Sequence, residues 1–226
     1  MSKPIPPESQ DELLLRANRL AGHSIQTLAN TYHQIIPPSL HQAKGFIGQL
    51  VEMALGVVES NLPEPDFAHL GIELKTLPVD KQGLPRESTY VCTAPFGQTF
   101  ERWENSRVRA KLAHVLWIPV EADPNIELKE RRFGMPLLWR PSKEVESVLQ
   151  QDWEELSSML SMGEVDQISA KLGTYLQLRP KAAHSRVLSR TVSNNDETPL
   201  RNPKGFYLRT TLTKKILEEN YCLSNH

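Results

Sequence analysis

The clearest alternation of apolar and polar residues runs from residue 72 to residue 77 and predicts a β-strand. Its apolar positions, Ile72, Leu74 and Leu77, are expected to be buried. Glu73 and Lys75 then share the opposite face of the strand, about 7 Å apart at two residues per repeat. The pattern therefore predicts a carboxylate beside an ammonium group on one strand face.

Residues 113–121 form the most strand-like run, and we expect them to make a central, buried strand. His114 in this run is interpreted as a core histidine rather than a metal ligand. Shorter strands are predicted at residues 88–93, 136–139 and 204–209, and from residue 175 onwards. Residues 88–93 are expected to pair with the strand that carries Glu73.

Apolar residues at helical spacing predict helices at residues 10–21, 24–33, 45–59, 165–172 and 214–221, and a longer one after residue 142. Ser24, Ser142 and Thr213 are the expected N-caps. Glu52 lies about 100° from the centre of the apolar stripe of its helix, where that helix would meet the next element. Asp152 belongs to an acidic helix face that we expect to be solvated. Helices and strands in this mixture predict an α/β fold.

The composition is that of an ordinary globular protein: 226 residues, 39% hydrophobic and 23% charged. No apolar run approaches the length of a membrane span, which is about 18 residues. The first residues lack the apolar core of a signal peptide, so we expect a cytoplasmic protein. Cys92 and Cys222 are isolated in the sequence. Two reduced thiols are the simplest interpretation, and a disulfide between them is the alternative.

The net charge of −1 conceals a basic segment at residues 171–217. It contains ten Lys or Arg against Asp196 and Glu197, which gives +8 and leaves −9 for the rest of the chain. A concentrated positive charge in a nearly neutral protein indicates contact with a polyanion, and a solvated basic surface is the alternative.

Asp66 follows Pro65 and stands seven residues before Glu73, so that the chain reads Pro-Asp-x6-Glu-x-Lys. This spacing fits a divergent nuclease pattern. Mg²⁺ prefers oxygen ligands and keeps several waters, so Asp66 and Glu73 with a substrate phosphate would suffice to hold it. Taken alone, the pattern also describes an ordinary ion pair on an exposed strand.

Glu52 from a helix could join Asp66 and Glu73, both expected on strands, in one site for phosphodiester hydrolysis. Lys75 could orient or deprotonate the attacking water, or offset charge in the transition state. Glu52 could complete the metal shell or hold Lys75, and Lys44 could reach a phosphate oxygen.

The basic segment could bind DNA phosphates, which give affinity without sequence information. Arg179 and Lys181 suit the edges of guanine bases, and Tyr207 could probe the major-groove edge of adenine, where a methyl group would lie. The alternative for Tyr207 is an aromatic side chain at the edge of a core.

In combination, several stretches resemble the MutH family of DNA mismatch-repair endonucleases, over roughly residues 10–221. They are KGFIGQLVE at 44–52, Asp-x6-Glu-Leu-Lys at 66–75, AHVLWIPVE at 113–121, PLLW at 136–139, LRPKA at 178–182 and GFYL at 205–208. The resemblance implies a restriction-endonuclease-like fold, with a mixed central sheet flanked by helices and two lobes around a DNA cleft. Residues 1–226 would be one domain, with a catalytic lobe near 10–120 and a DNA-reading lobe near 121–226.

The resemblance also implies the activity, which is nicking of the unmethylated strand at hemimethylated GATC sites, 5′ to the guanine. The implied cofactor is Mg²⁺, which Mn²⁺ could replace. MutL would activate the enzyme after MutS finds a mismatch, and the chain would act as a monomer. Glu52, Asp66, Glu73 and Lys75 match the catalytic set and Lys44 a supporting lysine; Arg179, Lys181 and Tyr207 match the DNA-reading residues. Residues 193–201 match no motif.

Two other functions fit the same fold. A restriction endonuclease that reads GATC would cut both strands and ignore mismatch-repair proteins. A non-catalytic DNA-binding module would not need three acidic residues beside a polyanion, so the acids argue against it.

Overall fold

The computed structural model describes residues 4–39, 45–58, 63–94, 101–164, 167–169, 171–180 and 204–221. The chain divides into two compact units, each made of separated stretches. The first unit comprises Met1–Glu87, Ala113–Arg140 and Lys214–His226, and the second comprises Ser88–Leu112 and Pro141–Thr213. The two expected lobes would meet at a single boundary near residue 120. The two units instead alternate along the sequence, because strands far apart in sequence pair within each unit.

The first unit contains helices α1 (Gln10–Asn18), α2 (Ile25–Thr31) and α3 (Phe46–Leu55) and strands β1 (Glu73–Val79), β3 (Val115–Glu121) and β4 (Leu137–Trp139). The sheet order is β1-β3-β4, with β1 and β3 parallel and β4 antiparallel to β3. The central position and burial predicted for residues 113–121 are confirmed: every β3 residue before Glu121 is buried. In the register, Glu73 lies opposite Val115 and Lys75 opposite Trp117.

Helices α1 and α2 each pack against α3, and α3 also packs against β1. Their apolar faces share one core with the sheet, represented by Leu13, Ile25, Leu50 and Leu116. Ser24 caps α2 as predicted, since its side chain accepts a hydrogen bond from the Thr27 amide. The core therefore fixes α3, which carries Glu52, next to the strand that carries Glu73.

The second unit contains strands β2 (Thr89–Thr93), β5 (Leu176–Pro180) and β6 (Lys204–Leu208) and helices α4 (Arg107–Leu112) and α5 (Lys143–Ser161). Helix α6 (Thr210–Tyr221) begins in this unit and ends in the first. The sheet order is β2-β6-β5, and both pairings are antiparallel. The expectation that residues 88–93 pair with the Glu73 strand is therefore wrong: β2 pairs with β6, more than a hundred residues later in the chain.

Two predicted helix positions are also corrected. Helix α6 begins at Thr210, so Thr213 is a buried residue inside it and not its cap; its hydroxyl donates to the Thr210 carbonyl. The described part of residues 165–172 is not helical. Within the described ranges, no helix combines the length and the apolar character needed to cross a membrane.

Candidate active site and candidate nucleic-acid interface

Asp66 lies in a tight turn of the first unit, and not on a strand as expected. Phe67 and Ile72 exchange two backbone hydrogen bonds of 2.9 and 3.2 Å around a 3₁₀ turn at Ala68–Leu70. Gly71 closes the turn with φ 65°, a left-handed conformation that glycine adopts without steric cost. This turn brings Asp66 back to the start of β1.

The Asp66 carboxylate is bound directly to β1: its Oδ2 accepts a hydrogen bond of 2.8 Å from the amide of Leu74. Leu74 is the residue between Glu73 and Lys75. The turn and this bond therefore place the Asp66 carboxylate at the strand segment that carries the other two candidate groups.

Glu73 and Lys75 form an ion pair in the first half of β1. Lys75 Nζ lies 2.8 Å from Glu73 Oε1, and only 9% and 5% of the two side chains are exposed. Ile72, Leu74 and Leu77 are buried as predicted, but Glu73 is buried as well, so this strand face is not an open surface. The free-energy cost of removing two charges from water offsets most of the attraction between them. A buried pair of this kind therefore adds little to the stability of the fold and indicates a chemical role.

His114 adjoins this pair through the backbone, since its carbonyl accepts a hydrogen bond of 2.9 Å from the Glu73 amide. The imidazole is buried as predicted, and its Nδ1 has no hydrogen-bond partner, so it is not a fully satisfied core histidine. Burial, and secondly the charge of Arg140, lower the pKa of His114. The side chain is therefore neutral at pH 7.

Glu52 is half-buried on α3, the helix that packs against β1. The helix ends at Leu55, and Gly56 caps it with a φ of 80°. Among the described residues, no three His, Cys, Asp or Glu side chains converge into a group that could hold a metal. The structure thus places Asp66, Glu73 and Lys75 at one segment of β1, and the helix that carries Glu52 packs against the same strand. Lys44 lies outside the described residues.

The N-terminal segment packs over the elements that carry Glu52 and Asp66. The Pro7 carbonyl lies 2.7 Å from His69 Nε2, in the 3₁₀ turn that follows Asp66. A Cβ added at Gly56, at the end of α3, would lie 2.7 Å from the Ile5 carbonyl oxygen. The same short N-terminal stretch therefore contacts both the turn after Asp66 and the end of α3.

In the second unit, Arg179 and Tyr207 meet on neighbouring strands. Arg179 lies opposite Gly205 in the β5–β6 register, and its guanidinium carbon is 5.7 Å from the centroid of the Tyr207 ring. Arg179 Nη1 also donates a 2.5 Å hydrogen bond to the Ser88 hydroxyl. A cation–π contact and a hydrogen bond thus orient an exposed arginine. Lys181 lies outside the described residues.

Tyr90 and Ser88 belong to this cluster, and sequence reasoning did not single them out. The Tyr90 ring packs edge-on against Tyr207 at a centroid distance of 5.3 Å, and its hydroxyl lies 2.8 Å from Thr93 Oγ1. Gly205 leaves room for the pair, because a Cβ there would lie 2.8 Å from the Tyr90 ring. The solvent-facing position of Tyr90 in a short strand is the sequence signal that could have indicated this cluster. The strand that pairs with it could not be predicted from the local sequence.

Part of the positive charge of residues 171–217 is used within the protein. Lys214 pairs with Glu218 at 3.5 Å, and Lys215 pairs with Glu219. Arg209 donates a hydrogen bond of 2.7 Å to the Leu172 carbonyl. The formal charge of the segment therefore overstates the charge that it can offer to a polyanion.

Comparison with known proteins gives one consistent result. The family model described as "DNA mismatch repair enzyme MutH" matches residues 55–152. The DNA mismatch repair protein MutH of Shewanella sp. (strain W3-18-1) is 47% identical over 96% of this chain and 98% of its own length. The proteins of the same name from Shewanella oneidensis and Pasteurella multocida are 45% identical over 97% and 49% identical over 94% of this chain, covering 99% and 96% of their own lengths. Together with the mixed sheet, these matches confirm the predicted restriction-endonuclease-like α/β class.

Proposed function

The chain belongs to the MutH family of DNA mismatch-repair endonucleases, and from this premise we propose that it nicks the unmethylated strand at hemimethylated GATC sites, 5′ to the guanine. The reaction is a metal-dependent hydrolysis of one phosphodiester bond. The observation that carries the proposal is the desolvated Glu73–Lys75 pair with the Asp66 carboxylate bound to the backbone between them.

Asp66 and Glu73 are proposed to hold Mg²⁺, for which Mn²⁺ could substitute. Both residues offer hard oxygen ligands at the same segment of β1, and two carboxylates suffice for an ion that retains waters and binds the substrate phosphate. When bound, such an ion neutralises charge on the phosphate and lowers the pKa of a coordinated water.

Lys75 is proposed to position the attacking water and to offset the charge that develops on the phosphate oxygens. Glu73 restricts the ammonium group to one place, since the two atoms are 2.8 Å apart and little of either side chain reaches solvent. Glu52 is proposed to support this group from α3, and Lys44 to contact a non-bridging phosphate oxygen.

Arg179, Lys181 and Tyr207 are proposed to read the DNA sequence. Arginine and lysine can donate hydrogen bonds to the major-groove edge of guanine. Tyr207 is proposed to lie near the adenine edge where the methyl group distinguishes the two strands. The contacts of Arg179 with Tyr207 and Ser88 support this assignment, because a reading group must be held in one orientation.

The same proposal includes the expected partners. MutL is proposed to activate the enzyme after MutS has recognised a mismatch, and the chain is proposed to act as a monomer in the cytoplasm, where its DNA substrate lies.

A nicking assay tests this function. Supercoiled plasmid in unmethylated, hemimethylated and fully methylated form is incubated with the protein in Mg²⁺ or in EDTA. We expect open-circular product from unmethylated and hemimethylated plasmid, none from fully methylated plasmid, and none in EDTA. Linear product as the first species would indicate a restriction endonuclease that cuts both strands, and no cleavage of any plasmid even when MutL is present would contradict the proposal.

A further inference from the structure

Asp152 is a buried carboxylate that the sequence placed on a solvated acidic face. The structure contradicts that expectation: Asp152 lies on α5 with only 4% of the residue exposed. It faces the turn that leads into β5. A charge in this position is costly unless it is fully paired, so its partners show what it does.

Asp152 accepts hydrogen bonds from three consecutive backbone amides. Oδ1 accepts from Thr174 at 2.7 Å, and Oδ2 accepts from Tyr175 at 2.6 Å and from Leu176 at 2.8 Å. Hydrogen bonds to a charged acceptor are stronger than those between neutral groups. The carboxylate thus holds the last residues before β5 and the first residue of β5.

The carbonyl groups of the same turn are held from α6 and the residue before it. Arg209 donates through its guanidinium to the Leu172 carbonyl and through its amide to the Tyr175 carbonyl, at 2.7 and 2.8 Å. The Thr211 hydroxyl donates to the Thr174 carbonyl at 3.3 Å. Gly173 is required in this turn, with φ 79°, since a Cβ there would lie 1.9 Å from the Leu176 carbonyl oxygen.

The turn leads directly into β5, which has a defined register against β6. Leu176 pairs with Leu208, Gln177 with Tyr207 and Arg179 with Gly205. A shift of one residue would move Arg179 to the other face of the sheet, because side chains alternate along a strand. Asp152 binds the amide of Leu176, only three residues before Arg179.

We propose that Asp152 is a positioning residue for DNA recognition: it fixes the register of β5 and thereby holds Arg179 over Tyr207. The proposal rests on the DNA-reading role given above to Arg179 and Tyr207. It assigns a specificity function to a buried carboxylate that does not touch DNA.

The test compares Asp152→Asn with Glu155→Gln in the full chain. Both substitutions remove one carboxylate from α5, but Glu155 is exposed. Initial nicking rates are measured on hemimethylated GATC plasmid and on a plasmid whose sites carry one base change. For Asp152→Asn we expect a higher KM and a specificity ratio lower by about tenfold, the size of one lost base contact, with kcat much less affected. Glu155→Gln should match the parent protein.

Hydrogen exchange supplies the readout that is independent of activity. In Asp152→Asn, faster exchange should be confined to the amides of residues 174–179, with the first unit unchanged. An unchanged specificity ratio and unchanged exchange in a folded Asp152→Asn protein would overturn the proposal, as would a fall in kcat alone.

If Asp152→Asn does not fold, Thr211→Val removes a weaker bond to the same turn and should lower the specificity ratio in the same direction, by about twofold; no change in that ratio would overturn the proposal. Failure of the parent protein to prefer GATC would instead contradict the proposed function. The two failures are therefore distinguishable.

Discussion

The buried Glu73–Lys75 pair makes a quantitative prediction about stability and activity together. Lys75→Met removes the ammonium group at nearly constant volume and leaves the Glu73 carboxylate buried without it. Breaking a buried ion pair by removing one partner costs on the order of 3–5 kcal/mol, and exposures of 9% and 5% place this pair near that range. At about 2–4 °C per kcal/mol for a chain of this size, Tm should fall by roughly 6–12 °C at the lower cost of about 3 kcal/mol.

The double variant Glu73→Gln/Lys75→Met separates the two roles of the pair. Because it removes both charges of this pair, it should recover most of the lost free energy of unfolding, to within about 1 kcal/mol of the parent protein. It should not recover nicking, which we expect to be lower by at least about a hundredfold in both variants. Urea unfolding and the plasmid assay measure these quantities on the same samples.

A matched control lies in the same unit. Lys129 and Glu127 have the same spacing in sequence and a similar distance, 2.9 Å, but 51% and 69% of their side chains are exposed. Lys129→Met should leave both stability and nicking unchanged, because solvent screens an exposed pair. The reasoning is refuted if Lys75→Met is as stable as the parent protein, or if the double variant nicks at the parental rate.

Further predictions follow from other groups. Tyr207→Phe and Tyr207→Ala should narrow the difference in nicking rate between methylated and unmethylated sites, the alanine variant more, and an unchanged ratio on matched duplexes would count against the role of Tyr207. His114 should make the protein less stable in acid. The pKa of His114 is lower in the folded state than in the unfolded state, so the unfolded state binds more protons. The free energy of unfolding should therefore decrease as the pH falls below about 6.5. His114→Leu should flatten the dependence of the free energy of unfolding on pH between 5 and 7, and an identical slope would refute this. Tyr221→Phe should cost about 1 kcal/mol, because it removes the hydrogen bond of 2.5 Å to the Met135 carbonyl.

Local pattern predicted much of the fold and the core of the candidate site. Ser24 and Ser142 cap their helices as expected, because a cap depends only on residues within one helical turn. The burial of β3 and the closeness of Glu73 to Lys75 also follow from local pattern. A continuous apolar run and a two-residue spacing contain this information by themselves.

The features that local pattern did not predict depend on contacts between distant residues. The partner of β2 is β6, and no local signal distinguishes one antiparallel partner from another. Asp152 has the sequence environment of an exposed acid, and its burial depends on a turn more than twenty residues later. The burial of Glu73 likewise depends on neighbours that its own strand does not reveal.

Glu73 is proposed to be needed for cleavage of DNA and not for binding of DNA. The most direct measurement compares Glu73→Ala with the parent protein on hemimethylated GATC DNA in Mg²⁺, with nicking and DNA affinity determined together and Glu73→Gln as the variant of equal size. We predict that nicking is abolished in both variants and that affinity for the same duplex is nearly unchanged. A variant that binds DNA and nicks it at a rate comparable to the parent protein would contradict the account.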